Sequence, residues 1–258
     1  MGFAVVQKSL DPPAAGQLIK AFEAVESLTA SDARLLAKDA YGILVQKLSF
    51  NDAAAVQGVL AAEGVETEVV DQDHLPKPPA PKALKRAACE AESLLLYDAL
   101  GRAAPVPWER VILIAAGGVG LIEVKREAHE YVVYRGVGRG AMPVKLVEFS
   151  DKAEEKIRLV LELFVEAVPA RYRAMSHRFH YGYLGARMQP RASRNFVQLV
   201  RDLVARSPNA TVGRGAAALA ADPPRTFSYP TLRAFEEEIV WQLWNSDYLR
   251  RRGEGEAT

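Results

Sequence analysis

The chain has 258 residues, of which 49% are apolar and 25% are charged, and its formal net charge is +1. This composition provides enough apolar side chains for one large core or two smaller ones, which excludes a wholly disordered chain. Cys89 is the only cysteine, so a disulfide framework within the chain and a zinc site built on cysteines are excluded. The N-terminus lacks a basic segment followed by an apolar one, and the longest nearly apolar run, residues 111–122, is too short to cross a bilayer. We therefore expect a cytoplasmic protein.

The first 70 residues alternate between strand and helix patterns. Residues 3–8 alternate apolar and polar side chains as a strand does, and residues 18–25 carry apolar side chains at helical spacing. Thr29 with Asp32 three residues later is typical of a capping box, which predicts a second helix that Gly42 ends. The further predicted elements are a strand over 43–48, a helix over 53–63 that stops at Gly64, and a strand over 66–70. The predicted order is βααβαβ, a three-stranded sheet with helices on one face.

Several segments of this module coincide with those of a known family. They are Phe3-Ala4-Val5-Val6-Gln7-Lys8, Leu18-Ile19-Lys20-Ala21, Ser27-Leu28-Thr29-Ala30-Ser31-Asp32-Ala33-Arg34, Leu48-Ser49-Phe50-Asn51-Asp52-Ala53 and Leu60-Ala61-Ala62-Glu63-Gly64-Val65-Glu66-Thr67-Glu68-Val69. These segments, with their helix ends and the final Leu-x-x-x-Gly-x-x-x-x-Val pattern, resemble the C-terminal domain of the bacterial ribosomal stalk protein. The resemblance covers about a quarter of the chain and implies a small α/β sandwich over residues 1–73.

The resemblance also implies a binding surface. The family recruits translational GTPases through its first two helices, and the matching positions here keep Ile19, Lys20 and Arg34. Glu23 and Ser31 stand where the family tends to have basic residues, and a reversed charge cannot preserve the same contacts. We therefore predict an interaction or packing module with a contact through Ile19, Lys20 and Arg34.

The composition of the rest of the chain divides it into a linker, a second domain and a tail. Residues 74–83 contain four prolines between positions 76 and 81, which predicts an extended linker. Residues 84–250 predict a β-rich domain with strands near 93–98, 106–114, 131–134 and 157–165, closed by helices that start near Ser193 and Pro230. A strand and a turn followed by Pro107-Trp108-x-x-Val111 resemble the start of bacterial pleckstrin-homology-like barrels. Residues 251–258 predict a disordered tail, and the whole chain is expected to be of the α+β class.

The glycine-rich segment Gly117-Gly118-Val119-Gly120 follows an apolar strand pattern, as the phosphate-binding turn of a dinucleotide site does. The spacing of the glycines fails, because the third glycine position falls on Glu123, whose charge opposes a pyrophosphate. We predict a loop between strands at 117–120 and a second glycine-rich turn at 136–140. The sequence predicts no cofactor and no metal site, since His177 and His180 lie three apart in a strand-like stretch.

The most informative charge pattern lies between Val168 and Arg214. This segment holds nine arginines, no lysine and one acid, Asp202, so its net charge is +8 and the rest of the chain sums to −7. Arginine favours bidentate contacts with carboxylate or phosphate, and aromatic residues are interleaved with it. The predicted binding surface consists of Arg171, Arg173, Arg178, Arg187, Arg191 and Arg194.

Three function classes follow from these patterns. The first is a non-enzymatic interaction or regulatory protein that binds an acidic protein partner through the arginine-rich surface. The second is a nucleic-acid-binding protein associated with RNA or the ribosome, and an anionic lipid surface would offer similar charge. The third is a nucleotide-binding enzyme that uses residues 117–120. Pairing of these arginines with acids of the chain itself is the alternative that the sequence leaves open.

Overall fold

The computed structural model describes residues 2–26, 28–135, 142–166 and 170–255. The chain contains both helices and multi-stranded, largely antiparallel sheets, which confirms the predicted α+β class. The helices are α1 (Ala15–Phe22), α2 (Ala30–Asp39), α3 (Phe50–Ala62), α4 (Ala192–Arg206), α5 (Arg214–Ala220) and α6 (Leu232–Gly255). The strands are β1 (Phe3–Gln7), β2 (Ile43–Leu48), β3 (Thr67–Asp71), β4 (Lys82–Ala83), β5 (Ala87–Cys89), β6 (Ser93–Tyr97), β7 (Ala103–Pro107), β8 (Val111–Arg135), β9 (Met142–Val165), β10 (Ala170–Met175), β11 (Thr211–Val212) and β12 (Ser228–Tyr229).

The N-terminal module has the predicted βααβαβ order. Its sheet runs β2-β1-β3 with antiparallel neighbours, and α1, α2 and α3 cover one face around Leu18, Phe22 and Leu60. The Thr29 side chain accepts a hydrogen bond from the Asp32 amide at the start of α2, as the capping box predicts. Gly42 and Gly64 adopt positive φ angles of 72° and 78°, which glycine reaches without strain.

A six-stranded sheet organises the second part of the chain. Its order is β11-β8-β9-β10-β4, and β12 pairs with β8 next to β11. A smaller antiparallel sheet, β5-β6-β7, packs beside it. The core of this part is apolar on both faces of the central strands, with Leu113, Ile114 and Leu161 fully buried. That burial explains the continuous apolar run in the sequence at the start of β8.

The predicted loop at residues 117–120 is wrong, because these residues lie inside β8 and pair with residues 157–160 of β9. Gly117 and Gly118 are buried against β12, and a Cβ atom on either would lie 2.8 Å from Tyr229 or Ser228. The Gly118 amide donates a hydrogen bond to the Phe227 carbonyl at 2.9 Å. The glycines therefore let a neighbouring strand approach closely, a common role of glycine within strands.

The two longest strands form one hairpin that outgrows the sheet. We call residues 120–135 of β8 and 142–157 of β9 the arm, and residues 111–119 and 158–165 the body half of the hairpin. At about 3.3 Å per residue the arm is on the order of 50 Å long. Among the arm side chains that the structure describes, seven large apolar ones are exposed: Ile122, Tyr131, Val132, Leu146, Val147, Phe149 and Ile157. The turn predicted at residues 136–140 lies outside the described residues.

The N-terminal module is docked on the rest of the fold. The face of its sheet opposite α1–α3 packs on α6, where Trp241 is fully buried. The Trp241 indole N–H donates to the Gln7 carbonyl at 2.8 Å, and the Tyr41 ring meets the Trp241 ring edge to face at 5.0 Å. A Cβ atom on Gly42 would lie 2.5 Å from the Trp241 ring, so only glycine fits there. Helices thus cover both faces of this sheet, not the one face predicted.

The proline-rich segment lies along this assembly. Leu75 is buried in the contact between the N-terminal sheet and α6, and β4 pairs in parallel with β10. The segment from residue 75 to 81 has no regular secondary structure, and it connects two modules that pack against each other, a point that the sequence left open. At the other end, α6 continues to Gly255, through most of the tail that we predicted to be disordered.

Candidate functional site

Two of the six predicted binding arginines lie inside the fold. Arg171 is 6% exposed on β10, and its guanidinium pairs with the fully buried carboxylate of Glu162 on β9. The Arg171 Nη2 atom also lies 2.8 Å from Oε1 of Glu236 on α6. Arg173 pairs with the same two acids and is largely buried. These contacts satisfy both guanidinium groups internally, so their prediction as an exposed binding surface is wrong.

The electrostatics of this cluster favour the ionised forms. Burial opposes the charge of Arg171, but the hydrogen bonds and the negative charge of Glu162 raise the pKa of Arg171 above its ordinary value. Partial burial likewise opposes the charge of Glu236, but hydrogen bonds from Arg173 and Arg171 hold the pKa of Glu236 below its ordinary value. The cluster fastens α6 to β9 and β10. Its role is structural, which was the alternative that the sequence left open.

Arg187 is also engaged within the fold. Its two terminal nitrogens each lie 2.9 Å from a carboxylate oxygen of Asp202 on α4, and the Tyr183 hydroxyl donates to the same carboxylate at 3.0 Å. Cys89 lies beside this group, and burial, with the charge of Asp202, raises the pKa of its thiol to about 12. The thiol is therefore protonated at neutral pH and is a poor nucleophile.

The other three predicted arginines are exposed. Arg178 follows β10, Arg191 precedes the first turn of α4, and Arg194 lies within that turn. None of the three forms an ion pair with another residue in the described part of the chain. The first turn of α4 contains no acidic residue, and Arg191 and Arg194 both lie at the positive end of the helix dipole. These cations are available to an external anionic group.

Arg178 lines a groove where the arm leaves the body. The groove has a volume of about 820 Å³ and lies between the arm, the end of β10 and the start of α6. Its apolar walls include Leu121, Ile122, Met175 and Leu232, and Arg178 and Arg233 provide positive charge. Ile122 is 76% exposed. Arg233 pairs with Glu237 one turn later on α6, yet its side chain stays 70% exposed.

Sequence reasoning missed Ile122, Leu232 and Arg233 as members of this groove. They come from strands and a helix that are far apart in the chain, and only the tertiary fold brings them together. One signal was available, because the apolar run at the start of β8 continues past the glycines to Ile122. A strand that stays apolar beyond its buried part predicts an exposed apolar surface.

The three residues suggested by the stalk resemblance lie on the first two helices. Ile19 is half-buried against the module core, and Arg34 is exposed on α2. Lys20 forms an ion pair with Glu63, although its side chain is 66% exposed. They lie on neighbouring helices, since α1 and α2 pack against each other.

A second cavity, of about 540 Å³, lies between the N-terminal module and the rest of the fold. The buried carboxylate of Glu238 accepts hydrogen bonds from Arg214 at 2.9 Å and from the Tyr229 hydroxyl at 3.1 Å. The Arg214 guanidinium stacks on the Tyr41 ring, 3.2 Å from its centroid. Arg214 and Glu238 are therefore engaged in contacts that hold the two parts of the molecule together.

Other chemistry receives no support from the described residues. Residues 117–120 are a paired strand and offer neither a turn nor a helix N-terminus to a phosphate, which removes the basis of the third function class, a nucleotide-binding enzyme that uses these residues. Within the described ranges, no group of three or more histidine, cysteine or acidic side chains is placed to hold a metal ion. No helix among these residues is long and apolar enough to cross a membrane.

Comparisons with known proteins add no identification. The chain matches no protein-family model, no curated protein and no solved structure. The resemblances to the ribosomal stalk domain and to pleckstrin-homology-like barrels stay predictions.

Proposed function

We propose that this chain is a non-enzymatic interaction protein that binds an acidic polypeptide partner in the groove at the base of the arm. The observation that supports this proposal most directly is Arg178. It is an exposed cation beside apolar walls, and it has no ion pair within the described part of the chain. An unpaired guanidinium next to apolar surface suits a carboxylate that is flanked by an apolar anchor.

The shape of the groove agrees with a peptide-sized occupant. A volume of about 820 Å³ lies within the range of pockets that bury a small ligand or several side chains. Leu121, Ile122 and Leu232 would cover apolar anchors of the partner, while Arg178 and Arg233 would select against a basic partner. Arg191 and Arg194 would extend the cationic surface along α4.

Protein is favoured over nucleic acid by the positions of the aromatic residues. Phe179, Tyr181 and Phe196, which are interleaved with the arginines in sequence, are buried in the core. Binding of single-stranded nucleic acid relies on exposed rings on which bases stack. RNA binding is therefore the alternative that the experiment below must exclude.

The N-terminal module would provide a second contact, through Ile19, Lys20 and Arg34, as its resemblance to the stalk domain implies. The proposal includes a cytoplasmic location, because Cys89 has no second cysteine in the chain with which to form the disulfides typical of exported proteins.

The test is a titration of the full chain into a fluorescently labelled peptide of alternating glutamate and leucine, followed by fluorescence anisotropy. We expect saturable binding that weakens by about tenfold in Arg178→Ala, the loss typical of one charge-assisted hydrogen bond. Arg206→Ala is the matched control, because Arg206 is an exposed arginine of the same basic segment that does not line the groove. Its affinity should stay at that of the wild type.

Two results would contradict the proposal. One is equal binding by wild type and Arg178→Ala, which would place the peptide elsewhere. The other is binding to single-stranded RNA that exceeds peptide binding and falls steeply with salt, which would establish the nucleic-acid alternative.

A further inference from the structure

The outer edge of β8 is open along the whole arm. In the body half of the hairpin this edge is covered, first by β11 at Leu113 and Ile114 and then by β12 at Gly118 and Val119. Beyond Val119, no strand in the described part of the chain pairs with it. An isolated two-stranded hairpin is marginally stable in water, and an open edge leaves a row of backbone donors and acceptors without strand partners.

Two of the features that protect an exposed edge, a bulge and a proline, are missing from the arm part of β8, whereas charged residues, a third such feature, occur on both strands of the arm. The register between β8 and β9 is continuous from Leu113 to Arg135, without a bulge. β8 contains no proline, whereas β9 has Pro143 near the tip of the arm, and proline cannot donate to a neighbouring strand. Natural proteins block edges with bulges and prolines. The edge of β8 is therefore better suited to pairing than the edge of β9.

The charge of the arm favours a copy of itself over a strongly charged partner. Residues 120–157 contain seven acids and seven lysines and arginines, a balance that a nucleic acid or an anionic membrane would not select. The open edge of β8 runs from Gly120 to Arg135, and Ala128 lies at its centre. An antiparallel copy aligned on Ala128 pairs that edge from Leu121 to Arg135, and it sets position 126, an arginine, opposite position 130, a glutamate.

We propose that the arm joins two copies of this chain into a two-fold symmetric dimer in which the β8 edges pair antiparallel about Ala128. The two arms then form one four-stranded sheet, which satisfies the number of strands that independent stability requires. The antiparallel arrangement points the two bodies in opposite directions, so they do not collide. The contact is isologous and closes after two copies. This inference concerns self-association and does not depend on the acidic partner proposed above.

The experiment has two readouts on the full chain. The first is sedimentation of the wild type across a dilution series, where we expect the mass to rise to twice the chain mass of 28.2 kDa. The second is disulfide formation by Ala128→Cys in a Cys89→Ser background, because the proposed axis brings the two copies of position 128 together. The matched control is Ser150→Cys, an exposed position on β9 at nearly the same height along the arm.

The proposal predicts that Ala128→Cys forms covalent dimers at least tenfold faster than Ser150→Cys. A wild type that stays monomeric at every concentration would overturn it. Dimers that cross-link through position 150 as fast as, or faster than, through position 128 would also overturn it, because they would show that β8 edges do not form the contact. Neither readout involves the peptide, so failure here is distinguishable from failure of the proposed binding function.

Discussion

The body half and the arm of the β8–β9 hairpin lie in different environments. In its body half, Ile114, Val119 and Leu161 are fully buried, and further strands continue the sheet on both sides. In its arm, the same two strands continue in the same register, but Tyr131, Phe149 and other apolar side chains are exposed. Backbone pairing alone therefore does not decide whether a strand contributes to the core. Flanking strands and covering helices make the body half part of the core, whereas the arm is left available for association.

The largest expected difference in stability between the body half and the arm comes from removing one acid from each half of β9. Glu162 is fully buried between Arg171 and Arg173, whereas Glu148 is exposed on the arm. Glu162→Ala should lower the free energy of unfolding by about 3–5 kcal/mol, since it leaves two buried cations with only Glu236 as partner. Glu148→Ala should change it by less than about 0.5 kcal/mol. Urea unfolding measures both, and equal losses would contradict the contrast.

A matched pair of leucines on β9 tests the apolar part of the comparison. Leu161→Ala removes a fully buried side chain and leaves a cavity, which should cost about 2–5 kcal/mol. Leu146 is 42% exposed on the arm, and Leu146→Ala should stay within about 0.5 kcal/mol of the wild type. The measurement is thermal or urea unfolding of dilute protein. A large loss from Leu146→Ala would mean that the arm is packed against something in solution.

The smallest expected effect is the pH dependence of the free energy of unfolding that the ion pairs of Glu236, in the body of the fold, produce. The pKa of Glu236 is depressed in the folded state, so its contribution to stability is present above its unfolded pKa, near 4.5, and is lost as the pH falls through the folded value. Urea midpoints of wild type and Glu236→Gln should therefore differ at neutral pH and converge under acid conditions. A difference that grows as the pH falls would contradict the assigned ion pairs.

The sequence predicted the N-terminal module well because its signals are local. The Thr29–Asp32 and Ser49–Asp52 pairs both cap helices, and Gly64 takes the left-handed conformation expected directly after the end of α3. Gly42 also has a positive φ, but it lies beyond the extended C-cap of α2, where β2 begins. A cap is decided within a few residues, so the sequence contains what is needed to predict it.

The candidate site was predicted only in part because its determinants are long-range. The partners that bury Arg171 are Glu162 and Glu236, and Glu236 is 65 residues away along the chain. Nothing near Arg171 in sequence distinguishes it from Arg178, which is exposed. The role of Gly117 likewise depends on Tyr229, from a distant strand that approaches it closely.

Hydrogen exchange along β8, followed by mass spectrometry across a dilution series, tests the division of the hairpin most directly. We expect slow exchange in residues 111–119 at every concentration and faster exchange in residues 121–135 in the dilute protein. Protection of residues 121–135 should then rise with concentration as the edges pair. Protection of the arm equal to that of the body half in dilute protein, or arm exchange that does not respond to concentration, would contradict it.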